Sequence, residues 1–473
     1  MNGRESISPR IGLMAVGLGA YWPQFPGMRD GILGSHQRMA RLFEGSGEII
    51  SAGMVDSAAA SRRAGALFAR EHVDIIFCHL TTYANSETLL PAVSAVDVPV
   101  ILLNVQPVRT LDFKNVASTQ EWLGVACTCA ALPEMTAVLI RTKKTFATIT
   151  GHLDGDAELE RRVRLWCTVA GIRQRLRTRT LGLLGRPYPG MMDLYIDETA
   201  LFDSLGTMTR HLEWEDIIAE MKNVTSAERK DGADRLRATF NCPSSVTAQD
   251  LDTVAITLGA LNKVVQEHSL LGIATHFEAS PTGAAAELLA SLNPALSILI
   301  TDGVACTVEG DMKAALAMTV LKALAGSATL AELYSMDFDE DVCIIGHSGA
   351  GDAAISSRQP TLSASELFHG KTGKGYLTQF FPKTGATTLL SLTQDASGGY
   401  RFIAAEGEIV EGPTLGLGDT NCRVRFNCGL REFTERWSNL GPSHHGVISL
   451  GKHIDRLQCA SVALGIPLEV VTR

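Results

Sequence analysis

The chain contains no CxxC pair. Its ten cysteines are scattered, and even Cys127 and Cys129, separated by a single residue, lack zinc-ligand spacing. The thiols therefore read as free and buried, in neither a metal knuckle nor a disulfide framework. An excess of positive charge is also missing. Against 42 Lys and Arg stand 51 Asp and Glu, a formal net charge of −9 that gives no support to nucleic-acid binding. The one basic stretch, Arg161 to Arg179, interleaves Arg with Leu, Val and Trp166 and reads as a surface helix with solvated arginines. No apolar run approaches the ~20 residues of a membrane span, and MNGRESISPRIGLM has no apolar stretch of signal-peptide length. No membrane partner and a cytoplasmic location are the expectations. Repeats and low-complexity segments are absent. So is GxGxxG: in AVGLGAYWPQFPG the glycines fall at Gly17, Gly19 and Gly27, and Trp22-Pro23 stands where a helix should start. That loop reads instead as one that shapes a pocket or meets a neighbouring subunit.

What is present is an ordinary globular composition, 45% hydrophobic and 20% charged, over 473 residues. That length exceeds one core and predicts two to four domains. RIGLMAVGL, VDIIFCHL and VPVILLNV are short strand candidates with helical stretches between them, such as the one from Gly31 to Glu44. The pattern of a doubly wound parallel sheet follows. A second cycle opens near Thr180 with RTLGLLG and continues through a helix from Val246 to His268, the LLGIATHFEA strand and ALSILITDG. After about residue 350 the texture changes to short alternating strands, TTLLSLTQD, GYRFIAAEGEIVEG and NCRVRFNCG, the pattern of an antiparallel β domain or barrel. The fold class expected is α/β, with two Rossmann-like parallel-sheet domains, 1–178 and 179–348, followed by an antiparallel barrel-like domain, 349–473.

Four residues in the last third stand out: Glu309 in CTVEGDMKAAL, Asp337 in YSMDFDEDV, His347 in IIGHSGAGD and His445 in GPSHHGVIS. Hard carboxylate oxygens with imidazole nitrogens suit an open Mn²⁺-type centre that binds hydroxyl and carbonyl oxygens. Singly, each has a plainer reading. Glu309 at the start of a helix from Glu309 to Leu324 would serve as an N-terminal carboxylate. Asp337 would belong to a solvated acidic turn with Asp339, Glu340 and Asp341. His347 would be a core histidine, and His444-His445 a surface pair. Together, two acids and two histidines at strand ends and helix starts favour a metal site.

In wording and order these motifs resemble the L-arabinose isomerase and L-fucose isomerase superfamily. EGDMKAALAMTVLKAL is similar to a family helix that begins with a metal-binding glutamate, and WSNLGPSHHGVISLGKHIDRLQCASVALGIPLEVV to the arabinose isomerase ending. The resemblance implies Glu309, Asp337, His347 and His445 as metal ligands, for Mn²⁺ or alternatively Co²⁺ or Mg²⁺. Arabinose enzymes carry a glutamate at the second position, where Asp337 is taken as the match here. The implied reaction is aldose–ketose isomerisation of a free pentose, hexose or deoxy sugar through an enediolate, with Glu309 and Asp337 as the acid/base pair. Epimerisation, decarboxylation or retro-aldol chemistry at the same site, and non-catalytic sugar binding, are the alternatives. Tyr21, Trp22, Gln24, Gln120 and His444 are the candidate sugar-binding residues. A homo-oligomer, hexamer or trimer, with sites near subunit contacts is also implied.

Overall fold

The computed structural model describes residues 8–116, 118–125, 127–276, 283–366 and 374–473. It divides into two compact units, Met1–Arg175 with Cys459–Gly465, and Leu176–Gln458 with Ile466–Arg473.

The first unit is built on β1 (Arg10–Val16), β2 (Glu48–Val55), β3 (Ile75–Leu80), β4 (Val100–Gln106) and β5 (Phe146–His152). All pair in parallel, in the order β2-β1-β3-β4-β5. That is a doubly wound arrangement whose direction of winding reverses between β1 and β3. The central strands are nearly unbroken apolar runs because helices cover both faces; every residue of β3 is buried. The glycine loop after β1 leads into a short helical turn, Tyr21–Gln24, and then the helix Met28–Arg41. The Trp22 indole donates to Asp56 just beyond β2 at 2.8 Å. It thus occupies the carboxylate that would bind a ribose in a dinucleotide fold. In the helix Ala157–Thr178, Arg161 and Arg164 pair with Glu158 and Glu160 one turn earlier, as in a solvated helix face.

Among the described residues, the second unit holds two larger sheets and a two-stranded one. β6 (Thr180–Leu184), β7 (Met208–Leu212), β8 (Leu270–Thr275) and β9 (Ala305–Thr307) form a parallel sheet in the order β7-β6-β8-β9. The helix Ala248–Glu267 leads into β8 and starts at a Thr247/Asp250 capping box. The apolar run ALSILIT is the second half of a helix, Gly283–Thr301, that is long and apolar enough to cross a membrane. The run-length reading of the sequence did not anticipate it. The helix is buried without a break from Pro294 to Ile300 and packs on the helix Ala248–Glu267 and on β9, which accounts for its all-round apolarity.

The second sheet comprises β10 (Thr329–Asp337), β11 (Val342–His347), β14 (Gly385–Gln394), β15 (Tyr400–Val410), β16 (Thr420–Arg425), β17 (Gly446–Leu450) and β18 (Leu468–Thr472), beside a separate hairpin of β12 (Thr361–Glu366) and β13 (Lys374–Gln379). Its order is β14-β17-β10-β11-β16-β15-β18, and an added β14–β15 pairing closes six antiparallel strands into a barrel. Closure removes the unpaired edges that an open sheet would expose. Each barrel strand contributes to one apolar cluster, with Ala331, Ile345, Leu389, Ile403, Val424 and Ile448 among them, and Phe433 and Trp437 of the helix Leu430–Asn439 pack onto it. The barrel takes in β10 and β11, which lie before the 349 boundary expected from sequence texture. That boundary was drawn where the strands begin to follow one another closely, whereas the barrel starts directly after the helix Met312–Ala325.

Candidate metal centre

The loop after β9 carries Glu309 in the left-handed region, at φ 60°, a conformation costing a non-glycine residue ~1–2 kcal/mol. The turn is locked from two sides. Gly310 donates to Thr275 at 2.9 Å, and the Glu309 carbonyl accepts from the Tyr188 amide at 3.0 Å. Only glycine fits next: Gly310 has φ 73°, and a Cβ there would lie 2.6 Å from the Arg186 carbonyl oxygen. The expected helix from Glu309 starts later, at Met312, because Asp311 is its N-cap, accepting from the Ala314 amide at 2.9 Å. Glu309 is thereby freed to point elsewhere. Strain in a non-glycine residue of this kind is often a mark of function.

Asp311 has a second task. Its other carboxylate oxygen lies 3.0 Å from His445 Nδ1, with both side chains buried. That fixes the proton on Nδ1 and leaves His445 Nε2 as a bare lone pair. His347, the last residue of β11, is fixed in the same sense. Its Nδ1 donates to the Ser348 carbonyl at 2.5 Å, again leaving Nε2 bare. The two Nε2 atoms face each other at 3.1 Å, and Glu309 Oε2 lies 3.4 Å from His445 Nε2. Two lone pairs at that distance repel unless a cation stands between them, either a metal ion or an extra proton. Burial, with His445 adding to it, pushes the His347 pKa down to about 3, so the proton is disfavoured on His347. One carboxylate oxygen and two imidazole nitrogens within 4.8 Å of one another fit a divalent ion.

A second group, Glu332, His444 and His445, shares His445 and meets the same 4.8 Å limit. Glu332 sits on β10, opposite Gly346 and thus one residue from the partner of His347. Asp337, the acid chosen from sequence, is in neither group. It lies five positions further along β10, and at about 3.3 Å per residue the strand carries it roughly 15 Å away. There it receives the Asp339 and Glu340 amides at 3.2 and 3.0 Å and faces Arg423 at 3.7 Å. The acidic-turn reading describes Asp337, whereas Glu332 is the β10 acid that groups with the histidines. The hairpin itself held the signal: counting back from the Asp339–Asp341 turn sets Glu332 beside the histidine strand end.

The two glutamates differ electrostatically. Burial tends to raise Glu309, but the positive charge of His444, 3.8 Å away, leads the opposing effects that hold its pKa below the usual range. Burial raises Glu332 above its usual value, against the opposing pull of His445 and His444. His444 is half-exposed, with Nε2 3.8 Å from Glu309. Burial alone would lower it, yet the hydrogen bond to Asp193 and the nearby Glu309 carboxylate bring its pKa up to about 10. Asp193 accepts from both its Nδ1 (2.7 Å) and its backbone amide (3.0 Å). Asp193 and Asp311 carry no motif of their own, and sequence reading passed over both.

The remaining candidates lie in the first unit. Tyr21 and Trp22 pack on Met28, Ile32, Leu123 and Cys127, Gln120 donates to the Pro26 carbonyl at 3.2 Å, and Gln24 is exposed.

Residues 327–466 match the family of L-arabinose isomerase C-terminal domains. An L-arabinose isomerase from a Nocardioides species is 22% identical over 81% of this chain and 78% of its own length. A sulfoquinovose isomerase from Alkalicoccus urumqiensis is 24% identical over 73% and 75%, respectively, and one from Priestia aryabhattai 24% over 58% and 60%. The family match spans the barrel with Glu332, His347 and His445, and the relatives are similar to this chain at 22 to 24% identity.

Proposed function

We propose that this protein is a divalent-metal-dependent aldose–ketose isomerase acting on a free sugar. The observation that carries the reading is the pair of facing imidazole lone pairs beside Glu309, with Glu332 on the adjacent strand. Glu309, His347 and His445 would hold the ion, with Mn²⁺ the first choice for this donor set and Co²⁺ or Mg²⁺ the alternatives. When bound, it supplies positive charge that favours negative charge on sugar oxygens.

The protein's own part is proton transfer. Isomerisation takes a proton from the carbon bearing the hydroxyl and returns one to the neighbouring carbonyl carbon. Two carboxyl groups with pKa values pushed apart suit that exchange. Glu309, kept ionised, acts as base and returns the proton to the neighbouring carbon, and Glu332, which holds its proton more readily, gives it to the carbonyl oxygen and recovers one from the hydroxyl oxygen. His444, held by Asp193, presents Nε2 towards the same space as a hydrogen-bond partner for a sugar hydroxyl. Tyr21, Trp22, Gln24 and Gln120, supplied by a neighbouring subunit, remain candidates for contacts to the rest of the sugar. A homo-oligomer is part of the proposal, supported by exposed Met192, Tyr195, Phe202 and Met208, apolar side chains of the segment around Asp193.

The test is proton exchange followed by NMR in D₂O, offering Mn²⁺-loaded protein pentoses, hexoses, deoxy sugars and sulfonated hexoses. Deuterium at C1 or C2 with ketose formation, absent in Glu309→Gln, is the expected result. A metal-loaded protein that forms no ketose from any of them overturns the isomerase reading, and ketose formed without deuterium replaces proton transfer with a hydride shift.

A further inference from the structure

Asp419 precedes β16 and is buried, 3% exposed, in a place where nothing in the proposed chemistry calls for a carboxylate. Both of its oxygens accept hydrogen bonds. Oδ2 accepts from Ser348 Oγ at 2.9 Å and from the Tyr334 hydroxyl at 3.1 Å, and Oδ1 accepts from Asn421 Nδ2 at 3.0 Å. Each donor sits beside something the site needs. Ser348 follows His347, and its carbonyl is the group that accepts from His347 Nδ1. Tyr334 lies two residues after Glu332, at the irregularity in β10 between Leu333 and Ser335. Asn421 closes the loop before it through Leu415, at 2.9 and 3.1 Å. The register puts Asp419 next to the partner of His347, because His347 pairs with Thr420.

We propose that Asp419 is a positioning residue for the metal centre. Through Ser348 it fixes the carbonyl that sets the tautomer and direction of the His347 ring, and through Tyr334 it ties down the bulged strand that carries Glu332. A bulge is where a strand would otherwise re-aim its side chains, and a ring nitrogen offered to a metal is only as well directed as the hydrogen bond at the other nitrogen. One buried carboxylate gripping both strand segments meets both needs. The inference rests on the metal reading of Glu309, His347 and His445.

The experiment is calorimetric titration of metal-stripped protein with MnCl₂ for wild type, Ser348→Ala, Asp419→Asn and the double variant, with melting temperatures in EDTA. Loss of such an outer partner weakens metal affinity about 10-fold or more, and that is expected for each single variant. The double variant is expected to bind no more weakly than the worse single one, because both changes cut the same link. Ser348→Ala leaves the backbone carbonyl in place and keeps the test decisive if Asp419→Asn does not fold. Wild type that binds Mn²⁺ beside single variants of unchanged affinity overturns the positioning role alone. Losses that add in the double variant overturn it too. Wild type that binds no Mn²⁺ overturns the metal reading and this inference with it.

Discussion

Glu309 and Glu332 share a functional group and differ in what surrounds it, and their proposed division of labour rests on that difference. Glu309 is held in a strained turn among histidines that stabilise its charge, whereas Glu332 is half-buried on a strand and holds its proton more readily. Positioned acid/base groups contribute about 100- to 10,000-fold to rate. Glu332→Gln is expected to lower kcat on the sugar found by NMR within that range while the protein still melts as wild type does. Asp337→Asn is expected to stay within about 3-fold of wild-type kcat. Its carboxylate serves backbone amides that an asparagine carbonyl also satisfies. The two variants assayed side by side decide between the acid picked from sequence and the one the strand register brings to the site. A large loss in Asp337→Asn with little in Glu332→Gln would restore the sequence choice.

At the scale of elements, Asp311 shows one side chain doing two separable jobs. One oxygen caps the helix Met312–Ala325 and the other orients His445. Serine caps nearly as well as aspartate, but its short hydroxyl cannot serve both partners. Asp311→Ser is therefore expected to melt within a few degrees of wild type in EDTA and to bind Mn²⁺ about 10- to 100-fold more weakly. Thermal melts and a metal titration on the same preparation check this; equal metal affinity would remove the orienting role. This dual use also explains why the element was legible in the sequence while its start was not. The run MKAALAMTVLKAL ending at Gly326 announces a helix, and Gly326 does terminate it, with φ 83°. The sequence does not show that Asp311 outcompetes Glu309 for the cap, since that depends on Gly310 fitting against Arg186. Among the parallel-sheet strands β1, β3, β4, β6 and β8 are legible as apolar runs, and among the barrel strands β14, β15 and β16 as alternation. The helix through ALSILIT was less so, because a short apolar run reads alike as buried helix or strand. Glu332 escaped for a different reason. A lone acid in an alternating strand looks solvated until its register against β11 is known.

Across the whole molecule the metal groups belong to the second unit, and the first unit has a titratable device of its own. His36 on the helix Met28–Arg41 and His79 on β3 are buried, with their Nδ1 atoms 3.3 Å apart. His79 Nε2 donates to the Val105 carbonyl at 3.3 Å, so its Nδ1 accepts and the His36 Nδ1–H donates. Both rings are neutral in that arrangement. Burial lowers the pKa of His36 to about 4 and that of His79 to about 3, His79 being pushed further by its neighbour. In the unfolded chain both titrate near 6.5. Between about pH 6.5 and 4 the unfolded chain therefore binds more protons than the folded one, and stability falls as pH falls through that window. A displacement of this size corresponds to a loss on the order of 3 kcal/mol for each histidine by pH 4. Urea unfolding followed by fluorescence at pH 7 and at pH 4.5 is expected to show a clearly lower midpoint at the acid pH. Replacing both histidines with phenylalanine, which keeps the rings and removes the titration, is expected to shrink that difference. A difference unchanged in the double variant would assign the acid sensitivity to other groups.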